Sequence, residues 1–209
     1  MRLLLVLLLV VLVQIHEVSA QLSDSVLLKL EEMPEDTLKV KYLFRQSKKL
    51  SVSQKPLALS LAKRALELSR DIGYKVGIMD AYTRMGNIHR KAKEYETSLS
   101  YHLKSLAISE QLGDTFRMAN SYNRLGLAHF GLKDYENALK FYIKAKMLNE
   151  GIKNSTLKSD LLINTASTYL AQKKFSEGLE HLKTAYEYKL ELGDTISVVK
   201  TLHLSLIHI

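Results

Sequence analysis

Seven histidines are spread along this 209-residue chain, and two of them, His89 and His129, stand forty residues apart. Imidazole is the commonest metal ligand, but a zinc site needs three or four ligands converging, with carboxylate or thiolate support. Here His102 occupies the place that Tyr142 holds one interval later, and the chain has no cysteine. Histidines that alternate with tyrosines at a fixed interval behave as packing rings, so neither metal nor cofactor is expected. Arg84, Arg90 and Arg124, with Asn87 and Asn123, offer another chemistry. Guanidinium groups pair with carboxylates, and side-chain amides hydrogen-bond extended peptide backbone. No glycine-rich phosphate loop, no strand-turn nucleophile and no paired-carboxylate cleft accompanies them. The sequence therefore describes a binding protein rather than an enzyme.

The interval of forty governs far more than the histidines. Tyr42, Tyr82, Tyr122 and Leu162 align, followed by Gln46, Gly86, Gly126 and Ala166. Later in each unit Ala58, Ser98, Ala138 and Gly178 align, then Ala62, His102, Tyr142 and Leu182, then Ala65, Ser105, Ala145 and Ala185. Large, small and aromatic residues at these offsets fall on one helical face. The small residue admits a second helix at close range, and its partner supplies the matching stripe. Tyr82, Gly86, Tyr122, Gly126, Ala138, Tyr142, Ala145, Leu162, Ala166 and Ala185 are thus expected to pack the repeats together. Neither helix of such a pair buries its stripe alone, so the units must stack into a solenoid. The phrase Leu-Gly-Asp at residues 112–114 and 192–194 reads as the joint between pairs. Its glycine closes one helix in the left-handed conformation, and its aspartate caps the next. Ile152-Lys153-Asn154 stands where one such joint is due, and Asn154, although it opens an Asn-Ser-Thr triplet, reads as a helix-start turn.

Tyr82-x-x-Met85-Gly86-x-x-His89 and Tyr122-x-x-Leu125-Gly126-x-x-His129 resemble the first-helix signature of tetratricopeptide repeats, and Ala138-x-x-x-Tyr142-x-x-Ala145 resembles the second. Departures are His89 and His129 in place of tyrosine, Ser98 and Ser105 in place of alanine, and a missing closing proline. The period also exceeds the usual length of about 34, so both helices should run nearly a turn longer. The resemblance implies an all-α fold, a right-handed superhelical solenoid of antiparallel helix pairs over residues 37–203. It comprises about four pairs and the first helix of a fifth. It also implies a concave groove lined by the first helices, accepting a protein or peptide partner. The groove candidates are Thr83, Asn87 and Arg90, then Asn123, Arg124, Leu127 and Phe130, then Ile163 and Ser167. Taken singly, each is better read as a solvated helix position.

Residues 1–20, with Arg2 ahead of an apolar run from Leu3 to Val13 and the triplet Val18-Ser19-Ala20, have the layout of a cleavable signal peptide. The apolar run is too short to span a bilayer, which takes about 20 residues. Export to the periplasm is the expectation. Residues 21–36 should form a lead-in helix and turn. The formal charge of +8 is dispersed over several segments, which argues against a nucleic-acid surface. Leu204–Ile209 look like a translated sequencing adapter, and the apolar, uncapped end suggests a truncated chain. A signal sequence, a lead-in helix and repeats in this order resemble the exported sensor region of bacterial tetratricopeptide-containing histidine kinases, where a membrane helix and kinase follow. A related group carries a helix-turn-helix regulator instead. A membrane would be reached only through such a downstream segment. A free-standing exported adaptor for complex assembly is the alternative.

Overall fold

A computed structural model describes residues 24–191 and Gly193. The proposed signal peptide, the fifth-unit helix and Leu204–Ile209 lie outside the described residues. Among those residues there are nine α-helices and no strand. They are α1 (Asp24–Glu32), α2 (Thr37–Lys49), α3 (Lys55–Asp71), α4 (Lys75–Lys91), α5 (Tyr95–Gln111), α6 (Thr115–Gly131), α7 (Tyr135–Ile152), α8 (Ser155–Ala171) and α9 (Phe175–Glu191). A single 3-10 turn, Val52–Gln54, precedes α3. Seventeen residues of helix and a three-residue turn, taken twice, make the forty-residue period. Helices of this length are the longer ones that the period calls for.

The chain divides into two compact units, one ending at Ala92 and the other starting at Lys93. In the first, Leu30 of α1, Val40 and Leu43 of α2 and Leu57, Leu61 and Leu68 of α3 form the buried core. Burying each such side chain contributes roughly 1.5–3 kcal/mol. Asp36 opens α2 by accepting the Leu38 and Lys39 amides at 2.8 and 3.1 Å, and Pro56 sits in the first turn of α3, where its missing N–H costs nothing. Arg84 of α4 reaches α2: its Nε donates to Ser47 Oγ at 2.9 Å, and its terminal nitrogen to the Ser47 carbonyl. Ser47 passes the bond on, donating to the Ala58 carbonyl of α3 at 2.8 Å. This arginine, a candidate carboxylate partner in the sequence, therefore ties three helices together, and burial lowers its pKa.

In the second unit α6 pairs with α7 and α8 with α9. Gly126 and Ala166 are close-approach points, as are Gly131 against Tyr95 and Gly178 against Leu170. A β-carbon on Gly126 would collide with the Tyr142 ring of α7. One period later Ala166 clusters with Leu182. The larger ring thus meets glycine and the smaller leucine meets alanine. Ala138, Tyr142, Ala145 and Ala185 are all buried, as is Gly86 in the first unit.

The joints explain the recurring phrase. Gly73, Gly113 and Gly193 all have φ between +63° and +69°. Lys153 takes the same left-handed role at φ +56°, so Ile152-Lys153-Asn154 performs the turn without a glycine. Asp114 and Asn154 cap the following helices, accepting the Arg117 and Leu157 amides at 2.9 and 2.8 Å. Within the pairs α6–α7 and α8–α9 the turn is made by Lys133 and Lys173, both at φ +61°, and Lys93, in the chain between α4 and α5, takes the same angle.

Candidate functional site

The groove candidates fall in both units. Thr83, Asn87 and Arg90 lie half-buried on α4 of the first. Asn123, Arg124, Leu127 and Phe130 lie on α6 of the second, and Ile163 and Ser167 on α8 beside it. Asn123 is 7% exposed, and its side-chain Oδ1 accepts from Asn164 Nδ2 at 2.9 Å, a bond that links successive first helices. Leu127 and Phe130 rest against the core formed by Ala119, Ala138 and Tyr142, and Phe130 tilts over Tyr135 at 5.8 Å. Arg124 donates to the Asn120 carbonyl at 3.0 Å. Arg124, Leu127, Ile163 and Ser167 keep part of their surface exposed. They form a mixed apolar and polar strip along α6 and α8.

Two of the described histidines, His129 and His181, sit in aromatic stacks. His129 stacks on Phe141 at 5.2 Å, and its Nδ1 lies 3.0 Å from Asp134, the residue that caps α7. Hydrogen bonding from Asn137 is the largest influence on Asp134 and, helped by His129, holds its carboxyl below the usual range. His181 lies flat on Tyr169, 5.5 Å between centroids and 7° apart. Burial lowers the His181 pKa; Glu180 opposes the shift and Lys146 reinforces it. No metal-ligating group of three His, Asp or Glu residues occurs among the described residues.

A second feature of the same unit is a cavity of about 590 Å³ over α8, between α7 and α9. None of the groove candidates lines it; of the packing residues, Tyr142 and Leu162 do. Its origin is readable one period upstream. There Tyr122 stacks on Phe141 at 6.1 Å and hydrogen-bonds Glu110 of α5, and Lys144 lies over both rings at 5.5 Å. Forty residues on, Tyr122 becomes Leu162, Leu125 becomes Thr165, Phe141 becomes His181 and Lys144 becomes Thr184. Each change removes volume, and all four replacements line the cavity. Other lining positions change the other way, among them Ser121 to Leu161, His102 to Tyr142, His129 to Tyr169 and Leu148 to Tyr188, and the last two wall the space with aromatic rings.

Helix pairs with small-residue contacts, left-handed joints and one-helix-per-half spacing define a class, and sequence comparison agrees with it. The tetratricopeptide repeat family matches residues 77–145 and 117–191, more than half of the chain. The chain belongs to the tetratricopeptide repeat family. Solved structures share its fold. The apo form of RapI is 24% identical, with a TM-score of 0.71 over 83% of this chain and 64% of that one. A Rap protein complexed with Competence and Sporulation Factor is 17% identical, with a TM-score of 0.75 over 83% and 48%. A signal-transduction ATPase with a tetratricopeptide repeat sensor, from Pyrococcus horikoshii, is 16% identical, with a TM-score of 0.74 over 94% and 31%. This chain thus spans less than two thirds of each of those proteins. No curated protein matches it.

Proposed function

We propose that the chain is a non-enzymatic scaffold that binds a protein or peptide, acting as the exported sensor portion of a signalling receptor. The carrying observation is the partly exposed strip of Arg124 and Leu127 on α6 with Ile163 and Ser167 on α8. Such a strip combines apolar contact area with donors for an extended backbone or a carboxylate. Two structural neighbours support the reading by what they are: a Rap protein captured with Competence and Sporulation Factor, and an ATPase whose repeats are its sensor. The signal-peptide layout of residues 1–20 supports export, and a downstream kinase or regulator would complete the receptor. A free-standing adaptor would use the same face.

Peptides selected by display on the immobilised full chain test the binding face. Arg124→Glu and Ser167→Glu should each weaken a selected peptide by about tenfold or more. Wild-type affinity in both variants would remove the strip from the binding surface. Export is tested separately, with alkaline phosphatase fused behind Gln21. Enzyme activity should depend on residues 1–20, and an inactive fusion refutes a periplasmic location.

A further inference from the structure

We infer that the cavity over α8 is a binding site for a small amphipathic carboxylate, an alkyl or aryl chain ending in a single acid group. It is distinct from the α6–α8 strip and does not depend on that strip binding peptide. Cavities of a few hundred Å³ with mostly apolar walls and a few polar groups are the usual form of small-ligand sites. At about 590 Å³ this one falls within that range. Leu139, Ile143, Leu161 and Leu162 supply the apolar surface, and Tyr169, His181 and Tyr188 the rings.

The charges of the lining select the ligand's other end. Lys146, Lys153 and Lys158 line the cavity against one carboxylate, Glu150. Among the described residues, the ion pairs Arg117–Asp114, His129–Asp134, Lys140–Glu136 and Lys183–Glu187 of this unit leave the three lysines unengaged. Lys158 lies 4.0 Å over the Tyr188 ring, which holds its ammonium at the cavity wall. A phosphate would seek arginine forks or open helix amides. No arginine lines the space, and the Leu157 and Lys158 amides at the start of α8 are already bound by Asn154. Asn149 is spent on both backbone groups of Asn154. What remains is point-charge ammonium beside an apolar chamber, which matches a monocarboxylate.

Titration calorimetry of the full chain with dodecanoate, and with dodecanol as its uncharged counterpart, tests this. Dodecanoate should bind at a single site, and dodecanol about tenfold more weakly or less. Leu162→Tyr restores the residue of the preceding repeats and should abolish dodecanoate binding with an unchanged circular dichroism spectrum. Thr165→Leu does so by a second route if the tyrosine fails to fit. Lys146→Gln with Lys158→Gln should weaken dodecanoate by about tenfold and leave dodecanol unaltered. No binding by the wild type up to the solubility limit overturns the site. So does undiminished binding by a folded cavity-filling variant. Equal affinity for acid and alcohol overturns the assignment to carboxylates. Leu162→Tyr should leave display-selected peptides bound as before, so the two sites fail or stand separately.

Discussion

Gly126 has no side chain because the Tyr142 ring occupies that space. Gly126→Ala should destabilise the protein by about 1–3 kcal/mol, the usual cost of overpacking. Gly151, inside α7 with open space around its Cα, is the matched control. Gly151→Ala should stabilise by roughly 0.5–1 kcal/mol through helix propensity. Urea titration of both variants separates steric from propensity effects; equal shifts would mean that Tyr142 yields freely. His181 carries a second expectation. Its imidazole faces Tyr169 of α8 and Lys146 of α7, with Glu180 on its own helix. Burial favours the neutral ring, so its folded pKa lies below that of the unfolded chain, which then binds more protons as pH falls. Its contribution to stability should be complete at neutral pH and decline as pH drops below about 6.5. An NMR titration placing His181 above that value would refute this.

The joints between helices carry their own energetics. A left-handed residue other than glycine costs roughly 1–2 kcal/mol, and Lys93, Lys133, Lys153 and Lys173 all bear that cost. Lys133→Gly should therefore stabilise by about 1 kcal/mol, while Gly113→Ala, with nothing near its Cα but φ +63°, should destabilise by a similar amount. Thermal unfolding of the two variants checks the pair; shifts of the same sign would contradict a conformational cause. The caps make a pH-dependent contribution. Burial raises the Asp114 carboxyl, but the Arg117 amide and guanidinium outweigh it, so Asp114, like Asp134, titrates below the usual range. Each contribution is present above the unfolded pKa of about 3.9 and lost as pH falls through the folded one. Asp114→Ala should cost about 1 kcal/mol at neutral pH and much less near pH 3.

A stack of repeats is stabilised pair by pair, each against its neighbours. In the second unit the pair α6–α7 is filled by Tyr122 and Phe141, whereas the space between α7 and α9 over α8 holds the cavity. Unfilled volume lowers local stability. Amide hydrogen exchange should therefore be faster in α8 and α9 than in α6 and α7, and Leu162→Tyr should narrow the difference. Uniform protection across the four helices would show that the cavity carries no local cost.

The forty-residue interval, read from Tyr82, Gly86, Tyr122 and Gly126, was enough to specify helix pairs, their close-approach points and the glycine joints. Such features are local or periodic, and one residue's type decides each. The left-handed conformation of Lys93, Lys133 and Lys173 was not legible, because lysine in a turn has no compositional mark, whereas the period alone set Lys153 in the place of a joint glycine. The cavity was written in the substitutions at 162, 165, 181 and 184, yet these are scattered over two helices. Their common effect exists only once α8 and α9 fold back on α7 and the missing volumes add at one point. The partly exposed strip divides in the same way: sequence phase put Asn123 and Leu127 on one helical face, but packing decided that Asn123 spends its side-chain oxygen on Asn164. Periodicity fixes which face a residue occupies, and the neighbouring helix fixes whether that residue is left available to bind.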